Sequence, residues 1–205
     1  MHDAYDCSRD QKKRWIAFAI AASVAMLEYY GGGHTGSLGL YSDAGHGSVD
    51  GVVIGLSIYI EHATHGKPIS AGAKLEVVDV LVKGSLLIAI ALSVIAHAIS
   101  RMFFSRPEDI ITTPMIQIAA IGAVGNALQF FLNESVSHRG SGHRGLTLHF
   151  LSDFWQSVAI IAGGFAIKKT GVQVIDPVIS LVIGVWFFLQ GIFYIRRSTR
   201  LPHAP

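Results

Sequence analysis

Residues 42–50 of the chain read SDAGHGSVD, which places one imidazole and two carboxylates inside an otherwise apolar segment. His46 and Asp50 are four residues apart, so on a helix they share one face with Cβ atoms about 5–6 Å from each other. A second apolar segment repeats the same H-x-x-x-D spacing at His149 and Asp153. We interpret the rest of the sequence as a helical scaffold that brings these two pairs face to face.

The composition of the chain is typical of a membrane protein. Of its 205 residues, 51% are hydrophobic and only 15% are charged, and the mean hydropathy is +0.46. A soluble domain commonly carries about 25% charged residues. The net charge of +2 is too small to indicate nucleic acid as a partner. The single cysteine, Cys7, excludes an intramolecular disulfide.

Six apolar segments are long enough to cross a bilayer whose hydrocarbon core is about 30 Å thick. They cover residues 15–30, 38–60, 77–99, 114–132, 148–167 and 176–195. The glycines at 31–33 are expected to end the first of them. A soluble helical protein would need a polar face on each helix, and the third, fourth and sixth segments lack one. We therefore expect an all-α membrane protein with six transmembrane helices.

The distribution of Lys and Arg predicts the orientation of these helices. With six spans, most basic residues fall on the side of the amino terminus. The outer loops hold only Arg101, Arg106, Lys168 and Lys169. Because basic residues favour the cytoplasmic side, both termini are predicted to be cytoplasmic. The expected organisation is a tail at residues 1–13, a six-helix transport domain at 14–196 and a second tail at 197–205.

The two H-x-x-x-D motifs together indicate a metal site. Ionisable groups inside a bilayer cost about 2.5–3.5 kcal/mol each on insertion scales, so they are usually functional. The motifs would supply two imidazole nitrogens and two carboxylate oxygens, a set that suits tetrahedral Zn²⁺ and balances its charge. A single motif would be explained more simply as a hydrogen-bonded pair between helices. The predicted ligands are His46, Asp50, His149 and Asp153.

The sequence resembles the cation diffusion facilitator family along its whole predicted membrane part. Residues 36–50, GSLGLYSDAGHGSVD, resemble the second-helix signature of that family. Glu28 and the glycines after it resemble the end of the first helix. Further matches are Lys74-Leu75-Glu76 in the third helix, Gly122 and Asn126 in the fourth, Arg144-Gly145, His149, Asp153 and Ser157 in the fifth, and Asp176-Pro177 with Ser180 in the sixth.

The resemblance implies a six-helix, usually dimeric exporter of divalent cations that is driven by proton exchange. In the family, paired H-x-x-x-D motifs are associated with zinc and often cadmium, whereas Asp in the first position accompanies iron and manganese. His46 therefore points to Zn²⁺, with Cd²⁺ as a further substrate and protons as the counter-ion. The implied partners are divalent metal ions, the lipid bilayer and a second copy of the chain. The implied location is the inner membrane of a bacterium.

Two features depart from the family pattern. The family normally continues after the sixth helix into a cytoplasmic metal-binding domain, whereas this sequence ends soon after Ile195. Any homodimer is therefore expected to form through the membrane part. Lys83 lies inside the third apolar segment, four residues after Asp79. An intrahelical ion pair is the expected explanation, and a role in gating is the alternative.

Three further groups of residues receive weaker interpretations. Glu61, His62 and His65 form a second candidate metal group after the second helix, with a solvated polar loop as the favoured alternative. Asp43 is expected to support the site rather than to bind metal. Asp176 precedes a proline and is expected to cap a helix.

We expect a secondary active transporter that works by alternating access around the four predicted ligands. A membrane-embedded zinc hydrolase would need an open coordination position and a general base. Four ligands close the tetrahedron, and the sequence contains no H-E-x-x-H motif. A membrane metal sensor or scaffold that binds zinc without transporting it is the alternative function.

Overall fold

The computed structural model describes residues 2–64, 69–104, 109–134 and 143–198, and these ranges form six α-helices without a β-strand. The helices are α1 (His2–Thr35), α2 (Leu38–Thr64), α3 (Ile69–Phe103), α4 (Thr112–Glu134), α5 (His143–Thr170) and α6 (Ile175–Ser198). The prediction of an all-α chain with six helices is confirmed.

Several helices begin earlier than the apolar segments that predict them. α1 begins at His2, α3 at Ile69 and α5 at His143, whereas the corresponding apolar segments begin at 15, 77 and 148. An apolar segment marks only the part of a helix that lipid can cover. Backbone hydrogen bonding continues the helix into polar residues beyond that part. Hydropathy therefore predicted the existence of these helices better than their starting points.

The prediction that residues 31–33 end the first helix is wrong, because α1 continues to Thr35. These glycines instead allow close packing between helices. A Cβ atom at Gly31 would lie 2.5 Å from the Cδ1 atom of Ile118 in α4. The chain turns at Gly36, whose φ of 75° is a backbone conformation that side chains with a Cβ rarely adopt.

Among the described residues, four helices contain a stretch long and apolar enough to cross a membrane. These stretches are Trp15–Thr35, Val77–Phe103, Thr112–Leu132 and Ile175–Ser198. Large apolar side chains on them point outward, for example Met26 and Val182, which are 63% and 67% exposed. Such a surface fits an integral membrane protein. α2 and α5 are not among these four stretches of the described residues.

α2 occupies the middle of the helix assembly. The most extensive helix pairs are α3 with α6, α4 with α5 and α1 with α2, and α2 also contacts α3, α5 and α6. A buried apolar cluster joins α2 to the helices that follow it. Its members are Leu40, Ala91, Ile110, Met115, Ala119, Ile160, Ile167, Ile183 and Phe187.

α3 and α6 approach each other closely at two glycines. A Cβ atom at Gly84 would lie 3.0 Å from the carbonyl oxygen of Gly191 and 2.9 Å from the Cγ1 atom of Ile195. A Cβ atom at Gly191 would lie 2.9 Å from the carbonyl oxygen of Gly84. Helices in lipid associate through such packing of small residues, because lipid is as apolar as the side chains it replaces.

We expect Gly84→Ala to lower the thermal unfolding temperature of the detergent-solubilised protein. The added methyl group meets backbone atoms of α6, and overpacking of this kind costs about 1–3 kcal/mol. Gly51→Ala in α2 is the matched control, because a Cβ atom there has no neighbour within 4 Å. Alanine should stabilise that helix by up to about 1 kcal/mol. Circular dichroism on heating measures both effects, and equal unfolding temperatures for the two variants would contradict the close α3–α6 approach.

Candidate metal centre

The position of α2 is set by a carboxylate from α6. Asp176 accepts hydrogen bonds from the hydroxyl of Ser37 at 2.6 Å, the backbone N–H of Leu38 at 2.7 Å and that of Gly39 at 3.2 Å. These contacts satisfy donors at the beginning of α2 and place a negative charge at the positive end of its dipole. The sequence predicted that Asp176 caps a helix. The capped helix is α2, although Asp176 itself belongs to α6.

Asp176→Asn should destabilise the protein by about 0.5–2 kcal/mol, the usual effect of losing a helix-capping group. The amide lacks the charge and keeps only one oxygen for the donors of α2. Asp109→Asn is the control, because Asp109 is exposed and lies outside every helix. Thermal unfolding in detergent compares the two variants. A loss of stability no greater for Asp176→Asn than for Asp109→Asn would rule out the capping role.

His46, Asp50 and Asp153 form a buried cluster between α2 and α5. The Nε2 atom of His46 lies 3.0 Å from Oδ1 of Asp153 and 3.4 Å from Oδ2 of Asp50. One ligand atom from each of the three residues lies within 4.8 Å of the others. Ligands about 2.1 Å from a tetrahedral ion are about 3.4 Å from each other. The two distances from His46 are thus close to those of a tetrahedral zinc site, and the three side chains supply ligand atoms that could bind a Zn²⁺ ion between them.

Four other residues of the predicted sites fall outside the described side chains. His149 belongs to α5, one helical turn before Asp153, but its side chain lies outside the described part of the structure. Its role as the fourth ligand stays a prediction. The side chains of Glu61 and His62, and the whole of His65, also lie outside the described residues. The second candidate metal group therefore stays untested.

An aromatic ring from α6 holds the imidazole of the cluster. The rings of His46 and Phe187 are stacked, with centroids 4.5 Å apart and an interplanar angle of 11°. Both side chains are buried. Stacking against a fixed aromatic ring restricts the rotation of the imidazole and keeps water away from that face. The orientation of His46 is thus determined by packing before any ion binds.

Asp43 lies outside the three-residue cluster and links α2 to α5. The hydroxyl of Ser157 donates a hydrogen bond to Oδ2 of Asp43 at 2.9 Å. The amide of Asn126, in α4, approaches the same hydroxyl at 3.4 Å. Asp43 is buried, and its oxygen atoms are engaged with neighbours of the site. This geometry agrees with the supporting role that the sequence predicted for it.

A second buried carboxyl group lies beside the cluster on α1. Glu28 is buried and lines a small cavity together with Asp43, His46, Asp50 and Asp153. A Cβ atom at Gly122 would overlap Oε1 of Glu28, so the glycine in α4 provides the space that this carboxyl group occupies. In the sequence, Glu28 stands out only through its resemblance to the family pattern. One signal in the sequence could have placed Glu28 near the site. It is an ionisable group near the end of an apolar segment, and such groups are usually functional.

Lys83 contributes a positive charge beside Asp50, a position that the sequence did not predict for it. Its Nζ atom lies 3.0 Å from Oδ1 of Asp50, and the residue is only 9% exposed. Local spacing pointed to Asp79 on the same helix. It cannot reveal a partner on another helix, and this contact joins α3 to α2. Asp50 thus directs one oxygen toward His46 and the other toward Lys83.

Comparison with known proteins places this geometry in a family. A model of the cation efflux transmembrane domain matches residues 14–201. The zinc transporter ZitB of Yersinia pestis is 31% identical over 196 residues, which cover 90% of this chain and 62% of that protein. The cadmium, cobalt and zinc/H(+)-K(+) antiporter of Bacillus subtilis is 31% identical over 189 residues, covering 89% of this chain and 60% of that protein. The cation efflux system protein CzcD of an Alcaligenes strain is 28% identical over 187 residues.

The all-α fold, the apolar helices and the matched domain define the class as a membrane protein with a cation efflux transmembrane domain. The chain belongs to the cation efflux family, and the resemblance to the cation diffusion facilitators seen in its motifs is confirmed. It spans about 62% of the length of ZitB and 60% of the length of the Bacillus antiporter.

Proposed function

We propose that this chain exports Zn²⁺, and also Cd²⁺, across a membrane in exchange for protons. Transport proceeds by alternating access around a four-ligand site. The ligands are His46, Asp50, His149 and Asp153. The observation that carries the proposal is the buried approach of His46, Asp50 and Asp153, which joins α2 to α5.

The chemistry of the ligand set supports a transition-metal substrate. Imidazole nitrogen suits zinc better than it suits magnesium or calcium, which prefer oxygen ligands. Two aspartates balance the double charge of the ion inside an apolar bundle. Metal binding requires deprotonated ligands, so protons and metal compete for the same atoms. That competition is the chemical basis for coupling metal export to proton entry.

The names of the relatives support the choice of substrate. The Yersinia relative is named for zinc, and the Bacillus relative for cadmium, cobalt and zinc exchanged against protons and potassium. A site with two imidazoles would accept zinc and cadmium alike, since both ions bind nitrogen ligands.

The proposed organisation places all six helices across the inner membrane of a bacterium. α2 and α5 would be the two further spans, with their ionisable residues facing the interior of the bundle, where such groups are tolerated. Residues 14–196 would form the transport domain between cytoplasmic tails at 1–13 and 197–205. The proposed assembly is a homodimer formed through the membrane part.

We expect Asp153→Ala and His149→Ala to abolish zinc uptake into proteoliposomes, because each substitution removes a ligand and opens the tetrahedron. Both proteins should remain folded and monodisperse in detergent. Asp109→Ala and His97→Ala are matched controls, since these residues are exposed, and they should transport at the native rate. Transport at the native rate by either ligand variant would refute the proposed site.

Proton coupling is tested with the unaltered protein in proteoliposomes under an imposed pH gradient. The rate of zinc and cadmium movement should rise as the opposing proton gradient is increased, and a pH-sensitive dye should report proton movement in the opposite direction. A metal flux that does not change with the imposed pH gradient would exclude metal/proton antiport. Zinc binding without any flux would instead identify the membrane sensor or scaffold.

A further inference from the structure

The buried ammonium group of Lys83 belongs to the surroundings of the proposed metal site. A lysine side chain carries a positive charge at neutral pH, and burial of that charge among apolar helices requires a partner of opposite charge. Oδ1 of Asp50 provides it at 3.0 Å. The Lys83–Asp50 ion pair is therefore buried inside the helix bundle. Its carboxylate, Asp50, is also one of the ligands in the proposed function.

The surroundings of Lys83 hold its ammonium group in this position. The residue precedes Gly84, at which α3 meets the backbone of α6. From α6, the ring of Tyr194 lies 5.1 Å from Nζ, within the range of a cation–π interaction. α3 and α6 together thus direct one positive charge at α2.

The charges of the site show what this arrangement does. Asp50 and Asp153 together balance one divalent ion, but Asp50 is already paired with an ammonium group. A metal ion bound to Oδ2 of Asp50 lies on the other side of the same carboxylate from Lys83. Two cations then share one negative charge, and their repulsion is only weakly screened by salt in a buried site.

We propose that Lys83 is a built-in competitor of the transported ion, which lowers the affinity of the site by sharing Asp50 with it. This inference rests on the proposed function, in which Asp50 is a ligand. Passage through a membrane protein requires binding strong enough for entry and weak enough for release. Lys83 shifts the site toward release. Lys83 does not bind the ion, and it acts on the affinity of the site through its charge.

A different role for the same contact makes the opposite prediction. If Lys83 served only to orient Asp50, its loss would weaken metal binding. Two variants separate the roles. Lys83→Gln retains a hydrogen-bond donor for Asp50 but removes the charge, and Lys83→Met removes both the donor and the charge at similar length.

We expect both variants to bind Zn²⁺ at least about tenfold more tightly than the unaltered protein, because each of them removes a nearby positive charge. The measurement is calorimetric titration of the full chain in detergent against a competing chelator. Lys83→Arg keeps the charge and should bind zinc with native affinity. Lys168→Gln is the matched control, because Lys168 is exposed and donates a hydrogen bond to the hydroxyl of Thr113.

Two further readouts separate a charge effect from a change of structure. The visible absorption of bound Co²⁺ should be the same in Lys83→Gln and in the unaltered protein, because the ligands themselves are unchanged. In proteoliposomes, Lys83→Gln should lower both KM and the maximal rate, since tighter binding delays release. Native or weaker zinc affinity in Lys83→Gln would overturn the inference, whatever the behaviour of Lys83→Met.

Asp50→Asn distinguishes failure of this inference from failure of the proposed function. If Asp50→Asn binds zinc with native affinity, Asp50 is not a ligand and the proposed site is wrong. If Asp50→Asn loses zinc while Lys83→Gln binds it with native affinity, the site stands and only the role of Lys83 is refuted.

Discussion

A carboxylate in the interior of a bilayer costs about 2.5–3.5 kcal/mol to insert, and each buried aspartate of this chain offsets that cost with a partner from another helix. Asp50 is paired with Lys83 of α3, Asp153 lies 3.0 Å from the imidazole of His46 on α2, and Asp176 accepts three hydrogen bonds from the beginning of α2. Removal of a partner would weaken the compensation of a buried charge. The arrangement of the helices therefore depends on these pairs as much as on apolar packing.

All these pairs converge on α2, so ionisable side chains lie buried in the middle of the bundle. Its beginning is capped from α6, its central residues meet α3 and α5, and its imidazole stacks on Phe187 of α6. A shift of α2 relative to α5 would separate His46 from Asp153. A shift relative to α3 would separate Asp50 from Lys83. A helix held by such directional contacts has a limited number of stable positions, which is what an alternating-access element requires.

The sequence was sufficient for the helix number and the family, because helical periodicity and family motifs are properties of local sequence. It also picked out His46, Asp50 and Asp153, which the structure brings together, whereas the role of His149 stays a prediction. It failed where a residue acts across the bundle. The glycines at 31–33 resembled a helix end, but Gly31 packs against Ile118 of α4, and Gly32 and Gly33 pack against Tyr41 of α2. Asp176 resembled a cap for its own helix and caps α2 instead. The intrahelical pair of Lys83 with Asp79 stays a prediction, and spacing within a single helix could not indicate that Lys83 also meets Asp50 on another helix.

A site that holds zinc for structural purposes and a site that moves zinc can use the same four ligands, so their difference must lie in the surroundings. Structural sites contribute binding energy to folding and keep their ion. In this chain, the site receives a permanent positive charge from α3, placed on the far oxygen of a ligand carboxylate. That charge remains with the protein while the ion comes and goes. Under the proposed function, it would oppose the ion in every state in which Asp50 holds both, and so it would favour passage over storage.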